Sequence, residues 1–473
     1  MEGAVGLAPP LAAPVPWWLE EARAARGDEP APPLAGKLEV DVAIVGGGFT
    51  GLWTALAVKE RRPAATVAVL EGLEVGLGPS GRNGGFLHGW WSSLPALRVV
   101  LGDAGALAVA RASSAIVPAV REFCSSRGED VWLREGGLLK VAASAAEAAA
   151  VDASVAAARE LGVPDEAVPL GEDEVRARCD SPRFRRGVLF RDGATVQPAR
   201  LALALERAAI DAGVIVHERT PVTRLEPHRL STPTGEVRAR AIVLALNAWT
   251  TPLPPAAPRQ TNFGSAVVLT EPVPELLAEI GWTGGEAIVD GRMFLHYFRT
   301  TADGRVLMGS GSGSLAYGGR VDRRLLDDRG AQARAAEGLR TLLPRLADVA
   351  IERSWSGPID VSADRLPFFG SVPGSGIHYG AGYSGNGVGP SWIGGRILSA
   401  LALGEEDEWT ALPLVGRRPR RLPPEPLRYV GGAAIRAASL SVERAHAAGR
   451  RPSPAARAIA AVPRLLRLPL GTR

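Results

Sequence analysis

The chain has 473 residues, 46% of them hydrophobic, which corresponds to about two to four domains with a large packed core. Its two cysteines, Cys124 and Cys179, exclude a disulfide framework and a CxxC metal site. They leave a single disulfide open and favour a reducing, cytoplasmic compartment. The net charge of +4 is uneven, because residues 413–473 hold 13 arginines and two glutamates, a balance of +11 that leaves −7 for the rest.

The first 36 residues contain seven prolines, which predicts an extended lead-in. They lack the basic segment and the continuous apolar run of a signal peptide. Residues 42–58 form a run of 17 uncharged residues, but this is short for a membrane span and three consecutive glycines interrupt it. We interpret the run as part of a soluble core.

The segment from residue 42 to residue 70 reads as strand, helix, strand. Val42–Val45 is typical of a buried strand, Thr50–Arg61 has helical periodicity, and Thr66–Leu70 is rich in β-formers. Three such elements within about 30 residues predict a right-handed parallel unit.

The turn of this unit carries a G-x-G-x-x-G motif, and Glu71 follows its last glycine by 20 residues. In a dinucleotide site the first glycine makes the turn, the second admits the pyrophosphate, and the third lets helix and strand pack closely. The N–H groups of the first helical turn and the helix dipole then face the phosphates. We therefore predict nucleotide contacts from Gly46, Gly48, Phe49, Thr50 and Gly51, and ribose contacts from Glu71. The alternative is a glycine turn in another kind of α/β protein.

The sequence has two further glycine-dense stretches, whose glycine content requires a structural explanation. One is "SGRNGG" at 80–85, and the other is "YGAGYSGNGVG" at 379–389, which opens a second helix. The second contains another G-x-G-x-x-G, but no acid-terminated strand follows its helix, so we do not predict a second dinucleotide there. A cofactor with a nucleotide end and a planar ring requires two close backbone approaches. FAD is such a cofactor, whereas a site for NAD does not require the second close approach.

Helical and strand patterns alternate through the remainder. Helices are predicted over 103–126, 145–161, 201–212 and 329–346, a strand over 240–246, and a strand-rich segment over 265–312. Parallel α/β pieces at the start, middle and end, with antiparallel pieces between them, predict two domains interleaved in sequence.

Several segments together resemble a known family. The stretches "DVAIVGGGFTG", "SGRNGG", "AIVLALNAW", "FRTTADGRVLMG" and "GYSGNGVGPS" resemble the FAD-dependent D-amino-acid-oxidase and glycine-oxidase superfamily over residues 40–403. Within it, "SGRNGG" and "DRLPFFG" are most similar to γ-glutamylputrescine-oxidase-like flavoenzymes.

The resemblance implies further FAD contacts from three loops and one adenine-side residue. These are Ser80, Gly81, Arg82, Asn83, Gly84, Gly85, Val222, Asn247, Trp249, Gly382, Ser384, Gly385, Asn386, Gly387, Val388 and Gly389. Neither cysteine lies in a matching segment, so non-covalent FAD is expected. The implied fold is α/β (α+β overall), with a Rossmann-like FAD-binding domain interleaved with an antiparallel-sheet substrate domain.

The expected boundaries follow from these patterns. The lead-in is 1–36, the FAD-binding domain is 37–95, 192–262 and 351–412, the substrate domain is 96–191 and 263–350, and a basic arm is 413–473. We interpret the arm's charge as a solvated or docked segment, with membrane contact as the less favoured alternative. Nucleic acid is not expected as a partner.

Three residues are candidates for the chemistry. Arg299 ends a strand, and its guanidinium suits a substrate carboxylate, although a structural salt bridge is an equal alternative. Tyr297 shares a strand face with it by the two-residue alternation. His88 lies just beyond "SGRNGG" and titrates near neutrality, although a structural histidine is the more frequent case. No metal site is predicted.

The predicted function is FAD-dependent oxidation of a small amine or amino acid, including polyamine derivatives, with hydride transfer to the flavin and oxygen or another acceptor as the oxidant. A soluble NAD-dependent dehydrogenase and a non-catalytic flavin-binding protein are the alternatives.

Overall fold

The computed structural model describes residues 4–27, 29–254, 256–447 and 450–465. Its α-helices are α1 (Trp17–Arg26), α2 (Phe49–Arg61), α3 (Leu94–Ser113), α4 (Ile116–Arg127), α5 (Ala145–Glu160), α6 (Glu172–Arg176), α7 (Pro198–Asp211), α8 (Pro274–Glu279), α9 (Arg323–Leu326), α10 (Arg329–Leu342), α11 (Pro390–Leu403), α12 (Leu427–Ala447) and α13 (Pro454–Leu465).

The strands form two large sheets and one short pair. They are β1 (Val5–Gly6), β2 (Gly36–Val45), β3 (Val67–Leu70), β4 (Phe86–Leu87), β5 (Leu138–Ala142), β6 (Val168–Leu170), β7 (Arg186–Phe190), β8 (Ala194–Thr195), β9 (Ile215–His217), β10 (Arg224–Glu226), β11 (Arg229–Ser231), β12 (Gly235–Leu244), β13 (Gln260–Thr270), β14 (Ala287–Asp290), β15 (His296–Thr300), β16 (Val306–Ser310), β17 (Ile351–Ser362), β18 (Phe368–Val372) and β19 (Ile377–Ala381).

The nine-stranded sheet has a parallel centre. β9, β3, β2 and β12 run side by side in parallel, and β19 joins the far half of β12, also in parallel. The strands β1, β10, β11 and β18 extend the sheet by antiparallel pairing. The predicted strand–helix–strand unit is therefore β2–α2–β3, and its strand ends meet at one edge of the sheet.

The eight-stranded sheet has the order β17-β13-β16-β15-β14-β5-β7-β6. It is antiparallel except for the parallel pair of β14 and β5. β17 pairs with β13 along almost its whole length, from Gln260 opposite Ser362 to Thr270 opposite Ile351. Residues 351–362, which the sequence assigned to the FAD-binding domain, therefore pair within this sheet. Strand partners far apart in the chain leave no local signal from which this pairing could be predicted.

The lead-in is not wholly extended, because α1 interrupts it. Helix-forming residues follow Pro16, Glu20 lies in the first turn, and Gly27 ends the helix in the left-handed conformation at φ +71°. Trp18 is fully buried, and its indole N–H donates to the carbonyl of Asn83 at 3.0 Å. The prolines around α1 obscured this short amphipathic helix in the sequence.

Among the described residues, one helical stretch, 91–127, is long and apolar enough to cross a membrane by length and composition alone, with a mean hydropathy of 1.4. The backbone breaks it twice. Gly102 lies at φ +69°, ψ 176° inside α3, and two residues separate the end of α3 from the start of α4. The stretch therefore consists of shorter packed helices.

Candidate functional site

A cavity of about 730 Å³ opens between the two large sheets. Its first wall is formed by the ends of β2 and β3, the first turn of α2, and the glycine loops at 76–88 and 380–388. Its second wall is formed by β5, β13, β14 and β15, together with part of α12. The volume lies in the usual range for small-molecule and cofactor sites.

Each glycine of the first motif is required by a different close contact. Gly46 has φ +109°, and a Cβ there would lie 2.5 Å from the Ala245 carbonyl oxygen. A Cβ on Gly48 would lie 2.7 Å from Ser80 Oγ. A Cβ on Gly51 would lie 1.9 Å from the carbonyl oxygen of Gly46, so α2 could not pack on β2.

The N-terminus of α2 faces the cavity without a side-chain cap. Gly48 is the N-cap, and it, Phe49 and Thr50 line the cavity. The N–H of Phe49 donates to Ser80 Oγ at 2.9 Å. Because a first helical turn has N–H groups without intrahelical acceptors, this end of the cavity suits a phosphate.

Glu71 lies beside this turn, as predicted, and lines the cavity. Its carboxylate accepts the N–H of Gly47 at 2.8 Å and the N–H of Leu73 at 2.8 Å. Burial raises the pKa of Glu71, while these backbone N–H groups oppose the rise. A carboxylate has about four acceptor positions, so the group retains capacity for ligand hydroxyls.

The loop at 80–85 is held by Asn83 and divides into two kinds of residue. The Asn83 amide donates to the carbonyls of Pro79 at 3.0 Å and Ser80 at 2.7 Å, and its oxygen accepts the Gly85 N–H at 2.7 Å. Ser80, Arg82, Asn83 and Gly84 line the cavity. Gly81 and Gly85 do not line it. A Cβ on either would lie 2.0 Å from a backbone carbonyl oxygen, so close packing requires glycine at both positions.

Arg82 connects the loop to two other segments. Its guanidinium donates to the carbonyls of Ser356 at 2.9 Å and Pro14 at 2.7 Å, and burial lowers its pKa to about 10.

The loop at 382–389 is held by a buried aspartate, Asp360. The Asp360 carboxylate accepts the Gly382 N–H and, at 3.1 Å, the Asn247 amide, and its carbonyl accepts the Ser384 N–H at 2.9 Å. Burial raises the pKa of Asp360 to about 6. One carboxylate therefore holds two of the predicted FAD-contacting segments together.

The structure brings most of the predicted cofactor residues to the cavity. In addition to those named above, the lining contains Val222, Asn247, Trp249, Gly385, Asn386, Gly387 and Val388. Gly51, Gly81, Gly85, Gly382, Ser384 and Gly389 lie behind the wall and shape its backbone. The two glycine loops touch, because a Cβ on Gly389 would lie 2.5 Å from the His88 carbonyl oxygen.

Two of the three catalytic candidates line the cavity. The Tyr297 hydroxyl lies 2.8 Å from Ser265 Oγ, and its ring contacts Phe86 edge to face at 5.6 Å. The ring lies over Gly309, where a Cβ would come within 2.0 Å of it. His88 Nδ1 lies 2.9 Å from the Gly89 carbonyl oxygen. Tyr297 and Ser265 therefore present a hydroxyl pair on the second wall.

Arg299 is not among the lining residues, contrary to the expectation that it grips substrate. It is fully buried, and it donates to the carbonyls of Val196, Gly85 and Thr300. Burial lowers its pKa to about 9, and within the described part of the chain it has no carboxylate in salt-bridge range. Its position is that of a clamp on the loop at 83–86.

Sequence reasoning missed several lining residues. Phe263 and Ser265 project from β13, Lys140 from β5, and Arg436 from α12. Lys140 is 3% exposed, its ammonium donates to Ser154 Oγ at 3.3 Å, and burial lowers its pKa to about 8. The sequence gives one sign of Lys140, which is that a charged residue stands inside the apolar run "LLKVA".

Comparison with known proteins places this site in context. A family model described as FAD dependent oxidoreductase (DAO) matches residues 41–401. Gamma-glutamylputrescine oxidoreductase of Escherichia coli (strain K12) is 29% identical over 395 residues, covering 81% of this chain and 89% of that protein. These matches confirm the resemblance predicted from the motifs.

Solved structures agree in fold. Glycine oxidase from Geobacillus kaustophilus superposes with a TM-score of 0.64 at 25% identity, covering 80% of this chain and 99% of that one. L-proline dehydrogenase from P. horikoshii has a TM-score of 0.63 at 19% identity, covering 80% and 96%, which bears on the fold alone. The predicted fold class, a Rossmann-like part with a second sheet, is confirmed.

Proposed function

Because the chain belongs to the FAD-dependent oxidoreductase (DAO) family, we propose that it oxidises a carbon–nitrogen bond of a small amine or amino acid. The observation that carries this proposal is a single cavity reaching from the uncapped N-terminus of α2 to the hydroxyl pair of Tyr297 and Ser265. Two similar proteins are named for gamma-glutamylputrescine and for glycine, both of which contain a primary amine. A polyamine derivative is therefore included among the candidate substrates.

The residues present fit FAD. Gly46 and Gly48 both line the cavity, and neighbouring protein atoms leave no room for a Cβ at either, so a ligand there would meet backbone. Gly387 differs, because the nearest protein atom to its Cβ position is 3.7 Å away, which leaves that face of the loop open toward a ligand. We propose that the first wall, on the nine-stranded sheet, binds FAD and that the eight-stranded sheet faces substrate, with the two parts interleaved in sequence.

When bound, FAD supplies a two-electron acceptor for the hydrogen on the carbon next to the nitrogen. Oxidation to an imine removes a hydride from that carbon and a proton from the nitrogen, and water then hydrolyses the imine. The reduced enzyme passes its electrons to oxygen or another acceptor. We place the enzyme in the cytoplasm.

The chain's own residues orient the substrate. The hydroxyl pair of Tyr297 and Ser265 donates or accepts one hydrogen bond to a polar group of the substrate. Apolar side chains of Leu138, Phe263 and Val289 surround it and exclude water. The turn before α11 directs the positive end of that helix toward the first wall, where it stabilises negative charge.

The test is anaerobic titration of the purified full-length protein with a panel of primary amines, diamines and amino acids. We expect a yellow protein whose flavin absorbance bleaches with at least one of them. A colourless protein would support the NAD-dependent alternative. Retained flavin that no amine bleaches would support the non-catalytic alternative.

A further inference from the structure

α12 lies outside the part of the chain that matches the family model, yet it forms part of the cavity wall. The match ends at residue 401, whereas Gly432, Ile435 and Arg436 line the cavity. The helix approaches the second sheet closely, because a Cβ on Gly432 would lie 2.6 Å from Leu315 Cδ2. The wall contributed by α12 therefore lies beyond the residues that the family model matches.

Hydrogen bonds fix both ends of α12. Ahead of its first turn, the Glu425 carboxylate accepts the N–H of Gly318 at 2.9 Å and of Tyr429 at 3.0 Å. Near its last turn, the Glu443 carboxylate accepts the N–H of Phe294 at 3.2 Å. Because both anchors reach loops that border the second sheet, the face carrying Arg436 is held in place.

Arg436 retains free hydrogen-bonding capacity. Its Nε and Nη2 donate to the carbonyl oxygen of Ser312 at 3.0 and 2.7 Å. Arg334 donates to the same carbonyl at 2.9 Å and to Ser312 Oγ at 2.7 Å. Nη1 of Arg436 has no acceptor among the described residues. A guanidinium has five N–H donors, and Arg436 uses only two of them in these hydrogen bonds.

The charge balance of this region is positive. Burial is the main cause that lowers the pKa of Arg334 and of Arg436. The positive charge of Arg444 adds to this effect, and the Asp328 carboxylate, which does not line the cavity, opposes it. Arg320 lines the cavity as well. In the described lining the acidic residues are Glu71 and Glu74, which both follow β3 on the first wall. A cationic patch without a lining carboxylate nearby favours an anionic ligand group.

We propose that Arg436 binds a carboxylate of the substrate, so that α12 selects amines that carry an acidic group. This inference rests on the proposed function for the identity of the ligand, but its test requires no turnover.

The test compares the FAD-loaded wild type with Arg436→Gln, Arg436→Lys and Arg444→Gln. Arg444 is the matched control, because it lies on the same helix, is exposed, and does not line the cavity. Isothermal titration calorimetry measures binding of acetate, butanoate and hexanoate and of the corresponding carboxamides. Melting curves establish that each variant is folded.

We expect the wild type and Arg444→Gln to bind a carboxylate equally and to prefer it over its carboxamide. Arg436→Gln should weaken that binding roughly 10- to 100-fold. Arg436→Lys should weaken it less, since lysine keeps the positive charge but lacks the bidentate donor geometry of a guanidinium. No carboxylate preference in the wild type, or equal losses in Arg436→Gln and Arg444→Gln, would overturn the proposal. Carboxylate binding by a protein whose flavin no amine bleaches would disprove the proposed oxidation and leave this recognition intact.

Discussion

Replacing Gly51 with alanine tests whether the first glycine motif is built for close packing and cofactor binding together. The added Cβ would lie 1.9 Å from the Gly46 carbonyl oxygen and 3.2 Å from Ile44 Cγ2. A carbon–oxygen contact normally needs about 3.3 Å, so α2 must move from β2 by about 1.4 Å. The obstructing oxygen is backbone, and no side-chain rotation relieves the clash.

The loss of stability can be estimated from the packing that this movement disrupts. Overpacking a well-filled interior costs about 1–3 kcal/mol, and a clash with backbone belongs at the upper end, about 3 kcal/mol. The shift also carries the first turn of α2, with the N–H of Thr50, away from the end of the cavity that suits a phosphate. Added FAD stabilises a protein by RT ln(1 + c/Kd), where c is the free FAD concentration, so weaker binding reduces the stabilisation at a given FAD concentration. We therefore expect the variant to lose both basal stability and its response to FAD.

The assay records the flavin-to-protein absorbance ratio after gel filtration and the thermal midpoint with and without added FAD. The control is Gly431→Ala, since a Cβ there meets nothing within 4 Å and alanine favours the interior of α12 by about 1 kcal/mol. A Gly51→Ala protein that retains stoichiometric FAD and melts like the wild type would refute the packing argument.

Three further predictions concern the cavity walls. Lys140→Met should raise the free energy of unfolding below pH 8, because it removes a charge that the wild type must bury on folding. Burial lowers the Lys140 pKa from 10.5 to about 8, so between these pH values the unfolded wild type binds more protons than the folded one. The free energy of unfolding of the wild type should therefore rise by about 3 kcal/mol more than that of the variant across that window, and parallel pH dependences in urea unfolding would contradict this. Asp360→Asn should lower the flavin content. The Asn247 amide and the Gly382 N–H donate to different oxygens of the carboxylate, and an amide has only one oxygen, so one hydrogen bond is lost at a cost of about 1.5–3 kcal/mol in stability. An unchanged flavin-to-protein absorbance ratio would contradict this prediction. Tyr297→Phe should retain flavin but slow its reduction by amine about tenfold, whereas Tyr317→Phe, an exposed control, should not; equal rates would remove Tyr297 from the site.

The nucleotide end of the site was predictable because its signals are local. β2 ends at Val45, α2 begins at Phe49 and β3 ends at Leu70, close to the expected bounds. The glycine spacing and Glu71 then follow from the geometry of a single strand–helix–strand unit. The same holds for the strand, turn and helix around residues 377–403, where one stretch of chain supplies all the parts.

Arg299 shows where local reasoning stops. Two-residue alternation correctly predicted that it shares a strand face with Tyr297, but only Tyr297 lines the cavity. The loop at 83–86 and the ring of Trp18 cover the end of β15 where Arg299 lies, with the guanidinium 5.6 Å from that ring. Which part of a strand face stays open depends on segments more than 200 residues away in the chain, and alternation contains no information about them.

By itself, the sequence determined the motif-bearing turns and the parallel unit that holds them, because each depends on residues close together in the chain. It also identified the cofactor, because the separated glycine-dense turns together match motifs of a known flavoenzyme family. Only the tertiary structure decided that β17 joins the second sheet, that Asp360 holds two loops with one carboxylate, and that α12 places Arg436 in the cavity wall. These arrangements arise from contacts between distant segments, which are selected by the packing of the whole chain and leave no periodic trace in the sequence.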